Sequence, residues 1–257
     1  MAQDSKIEWT NHTANLWWGC AEVHEGCDNC YAKALSHRYD GGKPLWGKGT
    51  PRRMVKSFFK DLDKYQRLAK SVGGVHRVFV GSMMDIFEKP MPLIDSKGDL
   101  LANTTENLRN KFFTSITDGQ YPNLMFLLLT KRPSNINKYI PESWKIDPPK
   151  NVMFGTSPVN QETADKLIMR LLEVEGKRFL SIEPQLDSIN IQGYLFTGMI
   201  DWVIQGGESG HGKRPFNLDW AYYMKQQCES TNTPYFFKQI DKIQPIPQDL
   251  LIRQFPI

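Results

Sequence analysis

The sequence predicts an α/β fold, a partial or full parallel β/α barrel of the TIM-like kind, on three observations. Short apolar runs rich in β-branched and aromatic residues recur seven times, and helical patterns fill the gaps between them. No Gly-x-Gly-x-x-Gly follows the first run, where a dinucleotide-binding sheet would carry it. The chain has 257 residues, 40% hydrophobic and 23% charged, which suits one buried core, so a single domain is expected over residues 1–257.

The predicted strands are residues 15–19, 77–81, 124–130, 151–156, 178–183, 201–206 and 234–238. The stretches from Val78 to Val80 and from Met125 to Leu129 are continuously apolar, as strands covered on both faces of a parallel sheet require. Helices are expected over 28–39 and from Pro51, suited to a first helical turn, toward Lys70. Asn160 can cap a helix over 161–175 that Gly176 ends, and Asn217 can cap one over 218–230. Residues 40–50 and 89–98 read as loops, and 243–257, with three prolines, as an irregular tail.

Three of the four cysteines, Cys20, Cys27 and Cys30, fall in one loop near residues 20–30, while Cys228 stands alone. Such spacing in a reducing cytoplasm suits a thiolate cage for a soft metal or an iron–sulfur cluster; the bland alternative is that Cys27 and Cys30 are a redox pair or plain surface thiols and Cys20 a buried small hydrophobe. Structural zinc needs a fourth ligand, for which His24, His12, His37 and Cys228 are candidates. A cubane on three thiolates instead leaves one iron open, and the spacing leaves both readings standing. Gly19 and Gly26 each precede a cysteine and can let the loop curl.

In such a barrel the active site collects residues that leave the C-terminal strand ends. Here these are Ser82 and Asp85, then Thr130, Lys131 and Arg132, then Thr156, Ser157 and Asn160, then Glu183, then Gly206, Gly207 and Glu208, and last Lys238 and Gln239. Lys131, Arg132 and Lys238 are the candidates to hold a substrate carboxylate or phosphate. Glu183, at the mouth of a buried strand, needs a partner or a ligand. The paired glycines could let a ligand approach backbone N–H groups, with Glu208 free to take an amine. Ser82, Asp85, Thr156, Glu183, Gly206, Gly207 and Glu208 are therefore the candidate cofactor-binding set. Trp9, Trp17, Trp18 and Tyr31 could form a collar that keeps water from the cysteines. The formal charge of +4 tolerates a phosphate-bearing partner without demanding one. A mean hydropathy of −0.47, no apolar run near ~20 residues and no apolar leader at the start predict a cytoplasmic protein without membrane contact.

The motifs Lys6-Ile-Glu-Trp-Thr10, Trp18-Gly-Cys20, Gly26-Cys-Asp-Asn-Cys-Tyr-Ala32, Gly81-Ser-Met-Met-Asp85, Leu129-Thr-Lys-Arg-Pro133, Asp201-Trp-Val-Ile-Gln-Gly-Gly-Glu-Ser209 and Phe236-Phe-Lys-Gln239 resemble a phage-associated family of three-cysteine proteins of unknown function, across nearly the whole chain. That family is similar to the radical S-adenosylmethionine (radical SAM) enzymes. The resemblance implies a partial β/α barrel, a [4Fe-4S] cluster on Cys20, Cys27 and Cys30, and reductive cleavage of S-adenosylmethionine to a 5′-deoxyadenosyl radical. It also implies an electron donor such as flavodoxin or ferredoxin. Two departures stand out: six residues rather than three separate the first two cysteines, and Gly206-Gly-Glu208 follows a late strand rather than the second. Members resemble enzymes of phage genes that elaborate thymine. This implies an isomerase that rearranges an amino-acid-modified thymine in DNA or a nucleotide, in the host cytoplasm if phage-encoded. A zinc-stabilised nucleic-acid-binding module and a radical lyase or repair enzyme for DNA bases are the alternatives.

Overall fold

The computed structural model describes residues 5–39, 42, 44–210 and 212–256. Residues 40, 41 and 43 of the expected 40–50 loop, and the ends 1–4 and 257 of the expected domain, lie outside the described residues. In chain order, β1 (His12–Ala14) and β2 (Trp17–Trp18) precede α1 (Tyr31–Ser36), and β3 (Arg52–Met54) precedes α2 (Phe58–Ser71). There follow β4 (His76–Val80), β5 (Pro92–Ile94), β6 (Leu100–Thr104) and α3 (Thr105–Thr117), then β7 (Leu124–Thr130) and α4 (Ile136–Tyr139). The last elements are β8 (Val152–Thr156), α5 (Gln161–Leu172), β9 (Lys177–Ile182), α6 (Gln192–Leu195), β10 (Trp202–Gly206), α7 (Leu218–Ser230) and β11 (Tyr235–Gln239).

Seven strands form a parallel sheet in the order β1-β4-β7-β8-β9-β10-β11. The order never reverses, so every crossover steps to the next strand in the same sense, which curls the sheet instead of splitting its helices between two faces. The result is a half-barrel of parallel strands surrounded by helices. Side chains alternate across it. Val78, Val80, Phe126, Leu128 and Phe154 face outward, in one core with Leu62 of α2, Phe112 of α3 and Ile168 of α5. Phe79, Leu127, Met153, Phe179, Ile204 and Phe236 face inward and form an apolar floor with Trp9 and Trp202. Each such side chain contributes about 1.5–3 kcal/mol by leaving water.

The ends of the chain help to close the open side. Arg253 bridges to Phe236 in an antiparallel contact along β11, and its guanidinium lies 3.0 Å from Glu8. Phe255 packs 5.5 Å from the Phe236 ring, with the Arg77 guanidinium 3.8 Å above its own. The expected irregular tail is thus partly an extra edge for the sheet.

Six of the seven predicted strands match within two residues, and the first does not. The barrel strand is His12–Ala14, and the chain then leaves the sheet. Asn15 explains the exit: its side chain accepts from Met83 N–H at 2.8 Å and donates to Ser82 Oγ at 2.9 Å. Trp17 and Trp18 instead pair antiparallel with β3, inside a second sheet of order β2-β3-β5-β6. The helix expected from Pro51 therefore begins only at Phe58, the loop expected over 89–98 contains β5, and the helix expected over 28–39 shortens to Tyr31–Ser36. The small sheet is anchored by Arg52, fully buried, whose Nε and Nη2 donate to Glu88 at 2.9 and 2.6 Å. No helix among the described residues is long and apolar enough to cross a membrane.

Candidate functional site

The strand ends and the cysteine loop enclose one cleft at the C-terminal mouth of the half-barrel. Cys20, Cys27 and Cys30 all line it, together with Ser82, Asp85, Lys131, Arg132, Glu183 and Lys238. Gly19 sets the loop on its course with φ +119°; a Cβ there would stand 2.4 Å from the Leu45 carbonyl oxygen. Gly26 has a different reason to be glycine, since its Cβ would meet Val159 at 2.6 Å.

One wall is built around Asp85. Its carboxylate accepts from Thr130 Oγ1 at 2.7 Å and from Phe87 N–H at 2.9 Å, and it pairs with Arg132 Nη1 at 2.6 Å. Arg132 also donates to Ala21 O at 2.7 Å, and its Nη1 stands 4.0 Å from Cys20 Sγ. This guanidinium therefore ties β7 to the cysteine loop. Burial, and next the Asp85 charge, push the Cys20 thiol up to about 12. The opposite wall holds Glu183, which accepts from Trp9 Nε1 at 3.2 Å and from Ser181 Oγ at 3.3 Å, and pairs with Lys238. The partner that Glu183 needed is Lys238.

Four expected site residues stand elsewhere. Thr156 does not line the cleft; its hydroxyl donates to Thr130 O at 2.8 Å, and the next residue, Ser157, lines the cleft instead. Gly206, Gly207 and Glu208 are likewise absent from the lining. A Cβ on Gly207 would lie 2.1 Å from Ile240 O, so this glycine lets β10 approach the end of β11 and makes no room for a ligand. Glu208 is not free to take an amine: it holds Arg214 Nη2 at 2.5 Å, Arg214 N–H at 2.7 Å and Asn29 Nδ2 at 3.0 Å. Asn29 sits between Cys27 and Cys30, so Glu208 braces the cysteine turn from behind.

The aromatic collar is also redistributed. Trp9 and Tyr31 line the cleft and are joined by Trp46, whereas Trp17 is buried in the outer core and Trp18 packs edge-on against Tyr39. Trp46 lies in the expected 40–50 loop and carried no motif that marked it. The signal available for Ser157 was its position directly after a strand end.

Among the described residues, no group of three or more His, Cys, Asp or Glu side chains is gathered as metal ligands. The donor type itself, three soft thiols that line the same cleft, is the one an iron–sulfur cluster takes. Of the candidate fourth ligands for zinc, three stand away or are engaged, and His24 keeps one ring nitrogen open. His12 is stacked on Tyr65 at 4.1 Å and bonded to His76 at 3.0 Å, His37 is exposed, and Cys228 is buried in the outer core on α7. His24 spends Nδ1 on Gly26 N–H at 3.1 Å, while its buried Nε2 has no hydrogen-bond partner among the described residues.

The chain belongs to the family described as "Protein of unknown function (DUF5131)", whose model matches residues 4–249. No curated protein and no solved structure matches it.

Proposed function

We propose that this chain is a radical S-adenosylmethionine-like iron–sulfur enzyme, an isomerase that rearranges an amino-acid-modified thymine in phage DNA or the corresponding nucleotide. The observation that carries the reading is that Cys20, Cys27 and Cys30 line the same cleft as polar side chains from successive strand ends of a parallel half-barrel. Thymine modification, phage origin and action in the host cytoplasm rest on the family resemblance.

Cys20, Cys27 and Cys30 would hold the cluster, each giving up its thiol proton. When bound, the cluster supplies the electron that cleaves S-adenosylmethionine, delivered by a donor such as flavodoxin or ferredoxin. Trp9, Tyr31 and Trp46 line the cleft and limit water around a reactive intermediate. Arg132 and Asp85 hold the wall beside Cys20, while Ser82 and the Glu183–Lys238 pair offer hydrogen bonds to cosubstrate and substrate. The rearrangement would break a C–N and a C–H bond and form a C–C and an N–H bond, the hydrogen passing from carbon to nitrogen overall, with no net redox change.

Iron and sulfide analysis after strictly anaerobic preparation tests the cluster. The wild type is expected to hold about four irons per chain, and C20A, C27A and C30A each to lose most of them. Stoichiometric zinc with no iron would overturn the reading.

A further inference from the structure

Every carboxylate that lines the cleft already has a basic partner, and one of those partners, Lys33, stands outside the lining. Asp85 is paired with Arg132, Glu183 with Lys238, and Glu22 with Lys33 at 2.5 Å. Lys131 lines the same cleft, half-buried, and among the described residues its ammonium has no acidic partner and no hydrogen bond. Only its backbone N–H is engaged, toward Asp85 at 3.3 Å. A cation left over beside three neutralised carboxylates selects for an anion.

The second observation is independent of charge. Ser157 is 1% exposed, lines the cleft, and its hydroxyl has no hydrogen-bond partner among the described residues. Buried hydroxyls are almost always satisfied, so an orphan that faces a cleft marks the place of a ligand atom. Strand register brings the two residues together: Thr130 is paired with Thr156 across β7 and β8, so Lys131 and Ser157 leave adjacent strands side by side. His24 of the cysteine loop lies close to the Ser157 backbone and within the field of Lys131.

We propose that Lys131 and Ser157 form an oxyanion subsite that takes the phosphate of the nucleotide substrate, a proposal that rests on the nucleotide reading above. Lys131 supplies the charge and the Ser157 hydroxyl donates one hydrogen bond to a phosphate oxygen. Arg132 has no part in the subsite, because its guanidinium is held by Asp85 and Ala21. The adjacent basic residues thus divide the work, one binding and one building.

The test is calorimetric titration of the iron-free protein with thymidine 5′-monophosphate and with thymidine. Because cluster loading is not read, failure here leaves the iron–sulfur reading open, and absence of iron leaves this test intact. The wild type is expected to prefer the monophosphate by about tenfold or more, and S157A and K131Q each to lose most of that preference while binding thymidine unchanged. S157A removes a hydroxyl that nothing in the protein satisfies, so it should fold as well as the wild type; inorganic phosphate should raise the melting temperature of the wild type and not of S157A. Absence of a preference for the monophosphate, including failure to bind either compound, overturns the proposal. So does a loss of L-methionine binding, titrated in parallel, in the two variants with nucleotide binding intact, which would assign the subsite to an amino-acid carboxylate.

Discussion

Asn29, in the turn between Cys27 and Cys30, donates a hydrogen bond of 3.0 Å to Glu208 at the exit of β10. Arg214 completes the brace, with three bonds to Glu208, from its backbone N–H, Nε and Nη2, and one of 3.0 Å to Glu25 O at the start of the cysteine turn. Burial alone would raise the Glu208 carboxyl, but the bonds from Arg214 and Asn29 outweigh it and hold the group below the usual range. E208Q weakens the charge-assisted bonds from Arg214 and Asn29 and is expected to loosen the cysteine turn while sparing the half-barrel. Mass-spectrometric alkylation should then show Cys27 and Cys30 labelled several-fold faster with little change in melting temperature. Unchanged labelling would show that Glu208 braces nothing.

Asp85 and Arg132 are mostly buried, so removing one leaves the other without compensation. D85N is expected to cost about 3 kcal/mol in denaturant unfolding, since a buried ion pair broken on one side is worth roughly 3–5 kcal/mol. The same change removes one of the two largest influences that keep the Cys20 thiol protonated. Cys20 should therefore react faster with iodoacetamide at mildly alkaline pH, and a slower reaction would contradict the assignment.

Arg52 ties three parts of the chain together. Besides Glu88 it donates to Leu45 O at 2.9 Å, Thr50 O at 2.8 Å and Gly47 O at 3.2 Å, and so fixes the segment that carries Trp46 into the cleft. R52M should destabilise the protein by about 3 kcal/mol or more and expose Trp46. The check is acrylamide quenching of tryptophan fluorescence under native conditions, which should increase.

His24 carries a pH dependence of known sign. Burial, then Lys131 and Arg132, lower its pKa to about 4 from an ordinary value of 6.5. The unfolded chain therefore binds a proton in this window that the native protein refuses, and stability falls as pH drops from about 6.5 toward 4. The contribution is below the full 1.4 kcal/mol per pH unit, because solvent screens a partly exposed ring. H24N should flatten the stability profile between pH 7 and 4 relative to the wild type. Parallel profiles would show that His24 is not held neutral.

Six of the seven parallel strands were legible because each carries a short, mostly apolar run, continuous in the stretch from Met125 to Leu129; the first, His12–Ala14, has no such run and was missed. The small sheet was not legible either. Its strands β2, β3 and β5 have two or three residues each, and β3 owes its position to the buried Arg52, a residue whose type suggests solvent. The cysteine loop, Asp85, Lys131, Arg132, Glu183 and Lys238 could be found from strand ends alone, because the fold brings strand ends together. Thr156 and Ser157 show the limit of that rule. A shift of one residue along the strand decides which side chain reaches the cleft, and sequence patterns do not fix a strand end that closely. Glu208 shows another limit, since Gly-Gly-Glu suggests a ligand loop until Arg214, six residues on, is seen to hold the carboxylate.

The most direct test of the central claim is incubation of the anaerobically reconstituted protein with dithionite and S-adenosylmethionine, followed by chromatography for 5′-deoxyadenosine. Formation of 5′-deoxyadenosine by the wild type, and its absence with C27A, is the predicted result. A protein that holds iron yet leaves S-adenosylmethionine intact, or a C27A variant that cleaves it as well as the wild type, would contradict the account.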